Sequence, residues 1–90
     1  VERDLAFVMP EDLDVAKVMS EMQKAAGKTL KAITVFDVYQ DEALKKDQKR
    51  SVAFRMIYQD DEKTLVDAEL VSLDKRLIDA VHQKFKISVR

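Results

Sequence analysis

The spacing of apolar residues alternates between two periods along the chain, and this alternation constrains the fold more than any other feature. Strands place every second residue on one face, whereas helices place residues three and four apart on one face. Read in this way, the 90 residues contain a strand, a helix, two strands, a second helix and a closing strand. We therefore expect one domain over residues 1–90.

The first strand and the first helix have clear ends. Alternation predicts a strand over residues 3–9, and Pro10 ends it because proline cannot donate a hydrogen bond to a neighbouring strand. Asp14 is a suitable N-cap for a helix over residues 15–26, where apolar residues lie three and four apart. Gly27 then stands where a left-handed residue commonly ends a helix.

The second half of the chain repeats these patterns. Strands are predicted over residues 30–39 and 50–59, and the polar segment 40–49 between them is interpreted as a loop. After a solvated turn at residues 59–63, residues 64–67 have the spacing of a capping box, although the helix could begin two or three residues later. An apolar stripe marks this helix as far as residue 85, and residues 86–90 form a short closing strand.

The order β-α-β-β-α-β is typical of the ferredoxin-like fold, an α+β sandwich built on a split β-α-β motif. In this fold two helices pack on one face of a four-stranded antiparallel sheet. Secondary structure covers only that face, so the opposite face is left open. An open sheet face is either simply solvated or used for binding, and both interpretations are compatible with the pattern.

The two faces of the predicted strands differ in character. The residues assigned to the helix side are strongly apolar: Leu5, Phe7, Phe36, Val38, Val52, Phe54 and Met56. Those assigned to the open face are mixed: Asp4, Ala6, Val35, Asp37, Tyr39, Ser51, Ala53, Arg55 and Ile57. Small alanines would let a flat ligand approach, while Asp37 and Ser51 offer hydrogen bonds to a base edge and Tyr39 offers a ring for stacking.

Composition narrows the function further. With 16 basic and 17 acidic residues the formal charge is −1, which argues against a stand-alone domain that holds nucleic acid by its phosphates. Base recognition by a module within a larger protein remains possible. The absence of cysteine excludes disulfides, cysteine-based zinc sites and thiol chemistry, and it fits a reducing compartment. The abrupt ends lead us to expect a fragment of a longer chain.

Four short motifs occur in register. They are R-D-L-A-F at residues 3–7, F-D-V-Y at 36–39, R-S-V-A-F-R at 50–55 and T-L-V-D at 64–67. Together they resemble the ferredoxin-fold anticodon-binding domain at the C-terminus of the β chain of bacterial phenylalanyl-tRNA synthetases, and the resemblance extends over essentially the whole chain. The sequence departs from that family in having no glycine before the third motif and in having Val66 where a Ser or Thr cap is usual.

The resemblance implies that the open face receives the anticodon of tRNA(Phe). Matched motif by motif, the contacts would be Ala6, Asp37, Tyr39, Ser51 and Ala53, with Asp37 and Ser51 bonded to the first anticodon base, a guanine. From its place on the open face we add Arg55 as a phosphate or stacking contact.

The resemblance also implies an assembly. The partners would be the rest of the β chain and an α chain, in a heterotetramer located in the cytoplasm. The catalytic centre, with ATP and magnesium, would lie on the α chain. We expect no catalytic residue, cofactor or metal in the 90 residues themselves.

The sequence offers alternatives to this function and these sites. A small-molecule regulatory domain of the same topology is the main alternative, although such domains often bind at glycine-bearing turns. An acylphosphatase-like enzyme would need a glycine-rich phosphate loop, and residues 9–14 contain no glycine. An RNA-recognition motif of the common kind would need an aromatic, glycine-bearing strand, which this sequence lacks. His82 has no evident catalytic partner, and residues 60–62 are expected to form a turn rather than a metal site. Lys45, Lys46, Lys49 and Arg50 form either a solvated loop or a contact to the tRNA backbone.

Overall fold

A computed structural model describes residues 1–89. Its elements, in chain order, are β1 (Glu2–Pro10), α1 (Val15–Ala26), a 3-10 turn (Gly27–Thr29), β2 (Leu30–Tyr39), α2 (Glu42–Lys46), β3 (Lys49–Tyr58), α3 (Asp67–Phe85) and β4 (Ser88–Val89). The strands form one antiparallel sheet in the order β2-β3-β1-β4. The predicted α+β, ferredoxin-like fold is confirmed.

The centre of the sheet is the pairing of β1 with β3. Nine consecutive residue pairs join the two strands without a bulge, from Glu2 opposite Ile57 to Pro10 opposite Lys49. Directly opposed residues share one face of a sheet. The register therefore sends Phe7 and Val52 to one face, while Ala6 and Ala53 go to the other.

The helices cover the first of these faces. Core side chains from β1, β3, α1 and α3 are fully buried, and the rings of Phe7 and Phe54 meet edge to face with centroids 6.0 Å apart. Asp14 accepts a hydrogen bond from the amide of Ala16 and caps α1, as predicted. Burying a large apolar side chain contributes about 1.5–3 kcal/mol, so this layer supplies most of the stability.

Strand β2 departs from simple alternation. Its register against β3 shifts between Leu30 and Ala32 and again between Val35 and Asp37, so that Lys31 and Phe36 are extra residues. Each extra residue reverses the faces of those that follow. A face assignment that runs unbroken along this strand cannot be correct on both sides of a bulge.

Two assignments on β2 are corrected as a result. Val35 lies opposite Phe54 on the helix side, not on the open face. Phe36, predicted to face the helices, is 46% exposed and lies against Arg55 on the open face. Val38 lies opposite Val52 on the helix side, and the helix side is where it was predicted, but it remains 53% exposed.

The segment predicted as a loop at residues 40–49 contains α2. Asp41 caps this five-residue helix by accepting a hydrogen bond from the amide of Leu44 at 2.8 Å. Gln40 anchors the segment to β3, because its side-chain amide donates to the carbonyl oxygen of Lys49 at 2.9 Å. A helix this short carries no apolar stripe, which is why the sequence pattern missed it.

The last helix and the last strand also differ from prediction in their bounds. Helix α3 begins at Asp67 with Val66 at the N-cap, so Thr64 is not the cap and the later of the two predicted starts is correct. Valine has no side-chain acceptor, and only the return half of a capping box forms, from the amide of Val66 to Glu69 at 3.4 Å. Strand β4 is limited to Ser88–Val89 within the described residues, and Arg90 lies outside them.

A polar cluster is buried where α3 crosses the sheet. Arg3 of β1 donates from Nε and from a terminal nitrogen to Oδ2 of Asp74, at 2.9 and 2.6 Å. The other oxygen of Asp74 and the hydroxyl of Tyr58 are also buried in this cluster. Burial, together with the negative charge of Asp74, raises the pKa of Tyr58.

Gly27 should be intolerant of alanine. It has φ 72° and ψ −153°, outside the left-handed helical region predicted and in a region that only glycine occupies readily. A Cβ added there would meet nothing within 4 Å, so the cost is one of backbone conformation alone. Gly27→Ala should lower the free energy of unfolding by about 1–3 kcal/mol, measured by urea denaturation. Lys28→Ala in the same turn is the control, and equal stability of the two variants would contradict this account.

Tyr58 should make the domain sensitive to alkali. Its pKa is raised by burial, so above pH of about 10 tyrosine ionises in the unfolded chain but not in the folded one. The free energy of unfolding should then fall with rising pH by up to about 1.4 kcal/mol per unit. Urea unfolding from pH 8 upward should show a weaker fall in Tyr58→Phe, with Tyr39→Phe as the control for loss of a hydroxyl. Parallel curves for wild type and Tyr58→Phe would refute this.

Candidate nucleic-acid interface

The open face is organised in three rows that cross the strands. The central row is Ala6 of β1, Ala53 of β3 and Asp37 of β2. One flanking row is Val8, Ser51 and Tyr39, and the other is Asp4, Arg55 and Thr34. Neighbours within a row lie about 5 Å apart, and successive rows lie about 7 Å apart along the strands.

The central row forms the floor of a shallow trough. Ala6 and Ala53 are directly opposed and only partly exposed, and neither side chain rises above the sheet. Asp37 closes the row at the edge strand and is exposed. A flat, aromatic ligand can therefore reach the backbone level here and meet a carboxylate at one end.

One side of the trough is bounded by the row that contains Tyr39. The ring is 44% exposed, and the hydroxyl lies 3.5 Å from Oδ2 of Asp41. Ser51 lies between Val8 and Tyr39 and is only 3% exposed, so it belongs to the floor of the face. This row combines a ring suited to stacking with a recessed serine.

The opposite side of the trough is bounded by Arg55. Its Nε lies 3.0 Å from Oδ1 of Asp4, a terminal nitrogen lies 3.3 Å from Oδ2, and Glu2 is 3.9 Å away. The hydrogen bond and the charge of Asp4 raise the pKa of Arg55. The guanidinium carbon also lies 4.5 Å from the centroid of the Phe36 ring.

All six predicted site residues lie together on this face: Ala6, Asp37, Tyr39, Ser51, Ala53 and Arg55. Phe36 also lies on this face, and alternation did not predict it there because an unbroken period of two assigns it to the core. One signal for it is its place in the chain. Asp37, the next residue, is assigned to the open face, and an edge strand tolerates a bulge that brings a neighbouring residue to the same face.

The basic cluster divides in the structure. Lys45, Lys46 and Lys49 are exposed, whereas Arg50 turns inward and donates to the carbonyl oxygen of Leu13 at 3.2 Å. The three lysines are therefore available to a polyanion, and Arg50 is occupied in holding the loop after β1.

The remaining sites considered from the sequence have structural roles. His82 is exposed on α3, with Nδ1 3.3 Å from the carbonyl oxygen of Ile87. Asp60 accepts a hydrogen bond from the amide of Glu62 and shapes the turn. Across residues 1–89, no group of acidic or histidine side chains is placed to hold a metal ion. None of the helices described is long and apolar enough to cross a membrane.

The fold is that of a domain of ferredoxin-like topology, and its open face carries groups that are able to form hydrogen bonds and to stack. The family model of the ferredoxin-fold anticodon binding domain matches residues 1–90 of this chain. The chain belongs to that family.

Curated relatives agree with this membership. The chain is 40% identical over 90 residues to a phenylalanine–tRNA ligase beta subunit of Oceanobacillus iheyensis, and 36% identical over 90 residues to the one of Nitrosospira multiformis. A third, from Coxiella burnetii, is 32% identical over 90 residues. Each match covers 100% of this chain and 11% of the relative, so the chain spans about a ninth of the length of these proteins.

Proposed function

We propose that the open face binds the anticodon of tRNA(Phe), and that the chain is the C-terminal anticodon-binding module of a phenylalanine–tRNA ligase beta subunit. The observation that carries the proposal is the central row, where two opposed alanines leave room for a base and Asp37 stands at its end. Family membership supports anticodon binding in general, and the named relatives support the phenylalanine enzyme.

The chemistry of the row suits a guanine. The Watson–Crick edge of guanine presents two donors, N1–H and N2–H₂, and a carboxylate such as that of Asp37 only accepts. Ser51 can donate or accept through its hydroxyl from the floor of the face, and Tyr39 offers a ring on which the base stacks. Ala6 and Ala53 act by their small size, because a larger side chain would fill the space that the base occupies.

The proposal places the chemistry of ligation elsewhere. The chain would join the rest of the beta subunit and an alpha subunit in a heterotetramer of the cytoplasm. That assembly would charge tRNA with phenylalanine at the expense of ATP, and we place the ATP and magnesium outside these 90 residues. The role left to this chain is to bind and orient one end of the tRNA.

The net charge of the chain limits how much of the enzyme's affinity for tRNA this domain can contribute. A formal charge of −1 provides little general attraction for phosphates. Lys45, Lys46 and Lys49 lie exposed at one end of the sheet and are the groups best placed to meet the tRNA backbone. The module therefore contributes selectivity through the bases, while most phosphate contacts come from the rest of the enzyme.

Asp37→Ala and Ser51→Ala, tested in the full synthetase, should raise the KM for tRNA(Phe). A good pair of hydrogen bonds to a base is worth about 1–3 kcal/mol, so Asp37→Ala should raise KM by about fivefold or more. Phenylalanine activation, followed by ATP–pyrophosphate exchange without tRNA, should be unchanged because the reacting groups lie elsewhere.

Asp79→Ala is the matched control, since it removes an exposed carboxylate from α3 on the other layer of the domain. Its tRNA kinetics should equal those of wild type. If Asp37→Ala and Ser51→Ala both also behave as wild type, the open face is not the anticodon site, and ligand binding by a regulatory domain becomes the better hypothesis.

A further inference from the structure

Phe36 and Arg55 form a composite surface beside the trough. The ring of Phe36 is 46% exposed, and the guanidinium carbon of Arg55 lies 4.5 Å from its centroid. A cation at this distance from a ring centroid is attracted by the negative face of the ring. The pair therefore presents planar, delocalised groups from two adjacent strands on the face that carries the proposed site.

Two independent features hold this surface in place. The bulge in β2 inserts Phe36 between Val35 and Asp37 and takes it out of the core. The carboxylate of Asp4 accepts two hydrogen bonds from Arg55, of 3.0 and 3.3 Å. The orientation of the guanidinium is thus set before any ligand arrives, which lowers the entropic cost of binding.

We propose that Phe36 and Arg55 are a stacking surface for a second anticodon base, distinct from the base over the central row, and that Arg55 is not a phosphate contact. This inference rests on the proposed function. Every base has a π face, so such a surface adds affinity without reading a hydrogen-bond pattern. Arginine is also the cation that stacks best on planar groups.

The electrostatics argue against a phosphate at Arg55. Two of its nitrogens already donate to Asp4, and Glu2 lies 3.9 Å from Nε. Two carboxylates around one guanidinium leave a local excess of negative charge, which repels a phosphate. A neutral base stacked on the plane meets no such repulsion and leaves both hydrogen bonds to Asp4 intact.

The position argues for a separate base. The row of Arg55 and the row of Tyr39 flank the central row on opposite sides. They lie about 13 Å apart along the strands, four residues at about 3.3 Å each. Consecutive stacked bases are only about 3.4 Å apart, so two neighbouring bases that contact the two sides cannot remain stacked on each other, and the nucleotides must be splayed across the trough.

Paired variants at Arg55 separate stacking from phosphate binding. Glutamine keeps a planar amide but loses the charge, whereas lysine keeps the charge but loses the plane. In the full synthetase, Arg55→Lys should therefore weaken binding of tRNA(Phe) more than Arg55→Gln, and Phe36→Leu should weaken it about fivefold or more. The slope of log Kd against log salt should stay as in wild type. Phe85→Leu, which alters the other ring beside a cation at 6.0 Å, is the control and should bind normally.

The base itself is identified with anticodon stem-loops that lack one base at a time. The effect of Phe36→Leu should vanish for a single abasic position, and that position should differ from the one that abolishes the effect of Asp37→Ala. Coupling of both variants to the same base would overturn the inference. So would wild-type binding by Arg55→Lys, or a salt slope that falls by about 1 in Arg55→Gln, the mark of a lost phosphate contact.

These outcomes are distinct from failure of the proposed function. If the wild-type enzyme does not distinguish an intact anticodon from an abasic one at any position, the anticodon proposal itself fails. If it does, and Asp37→Ala weakens binding while the variants at Phe36 and Arg55 do not, the central row stands and only the second stacking surface is refuted.

Discussion

The pairing of β1 with β3 is the constraint on which the rest of the structure depends. In a strand the side-chain period is two, so a slip of one residue would move every side chain to the opposite face. Nine uninterrupted pairs hold Phe7 opposite Val52 and Ala6 opposite Ala53. This register packs the large side chains of Phe7 and Val52 against the helices. It leaves only the small side chains of Ala6 and Ala53 on the floor of the trough.

The edge strand β2 supplies what the central strands cannot. Its two bulges break the alternation, and the second one brings Phe36 to the open face next to Asp37. An edge strand tolerates such irregularity because only one of its sides is paired. The change of face thus occurs at the edge of the sheet, where it does not disturb core packing, while β1 and β3 remain regular.

The difference between the regular central strands and the bulged strand β2 explains which parts of the sheet can be predicted from the sequence. Faces on β1 and β3 follow from alternation because no bulge interrupts them, and the site residues Ala6, Ser51, Ala53 and Arg55 were placed correctly. On β2 alternation fails at Phe36, since a bulge adds one residue without any change in composition. Helix α2 was not predicted for a related reason. It is stabilised by the cap at Asp41 and the anchor at Gln40, which are contacts rather than patterns.

Resemblance and physical reasoning contribute different parts of the site. The four motifs indicated which residues share a surface. They could not show that Arg55 donates hydrogen bonds to Asp4 and lies over the ring of Phe36. That arrangement neutralises the one arginine on the three rows and leaves a face with little attraction for phosphate. A surface of this kind is better suited to the stacking and hydrogen bonding of bases than to the binding of phosphate. If this face binds the anticodon as proposed, its electrostatics require that most phosphate contacts come from outside these 90 residues.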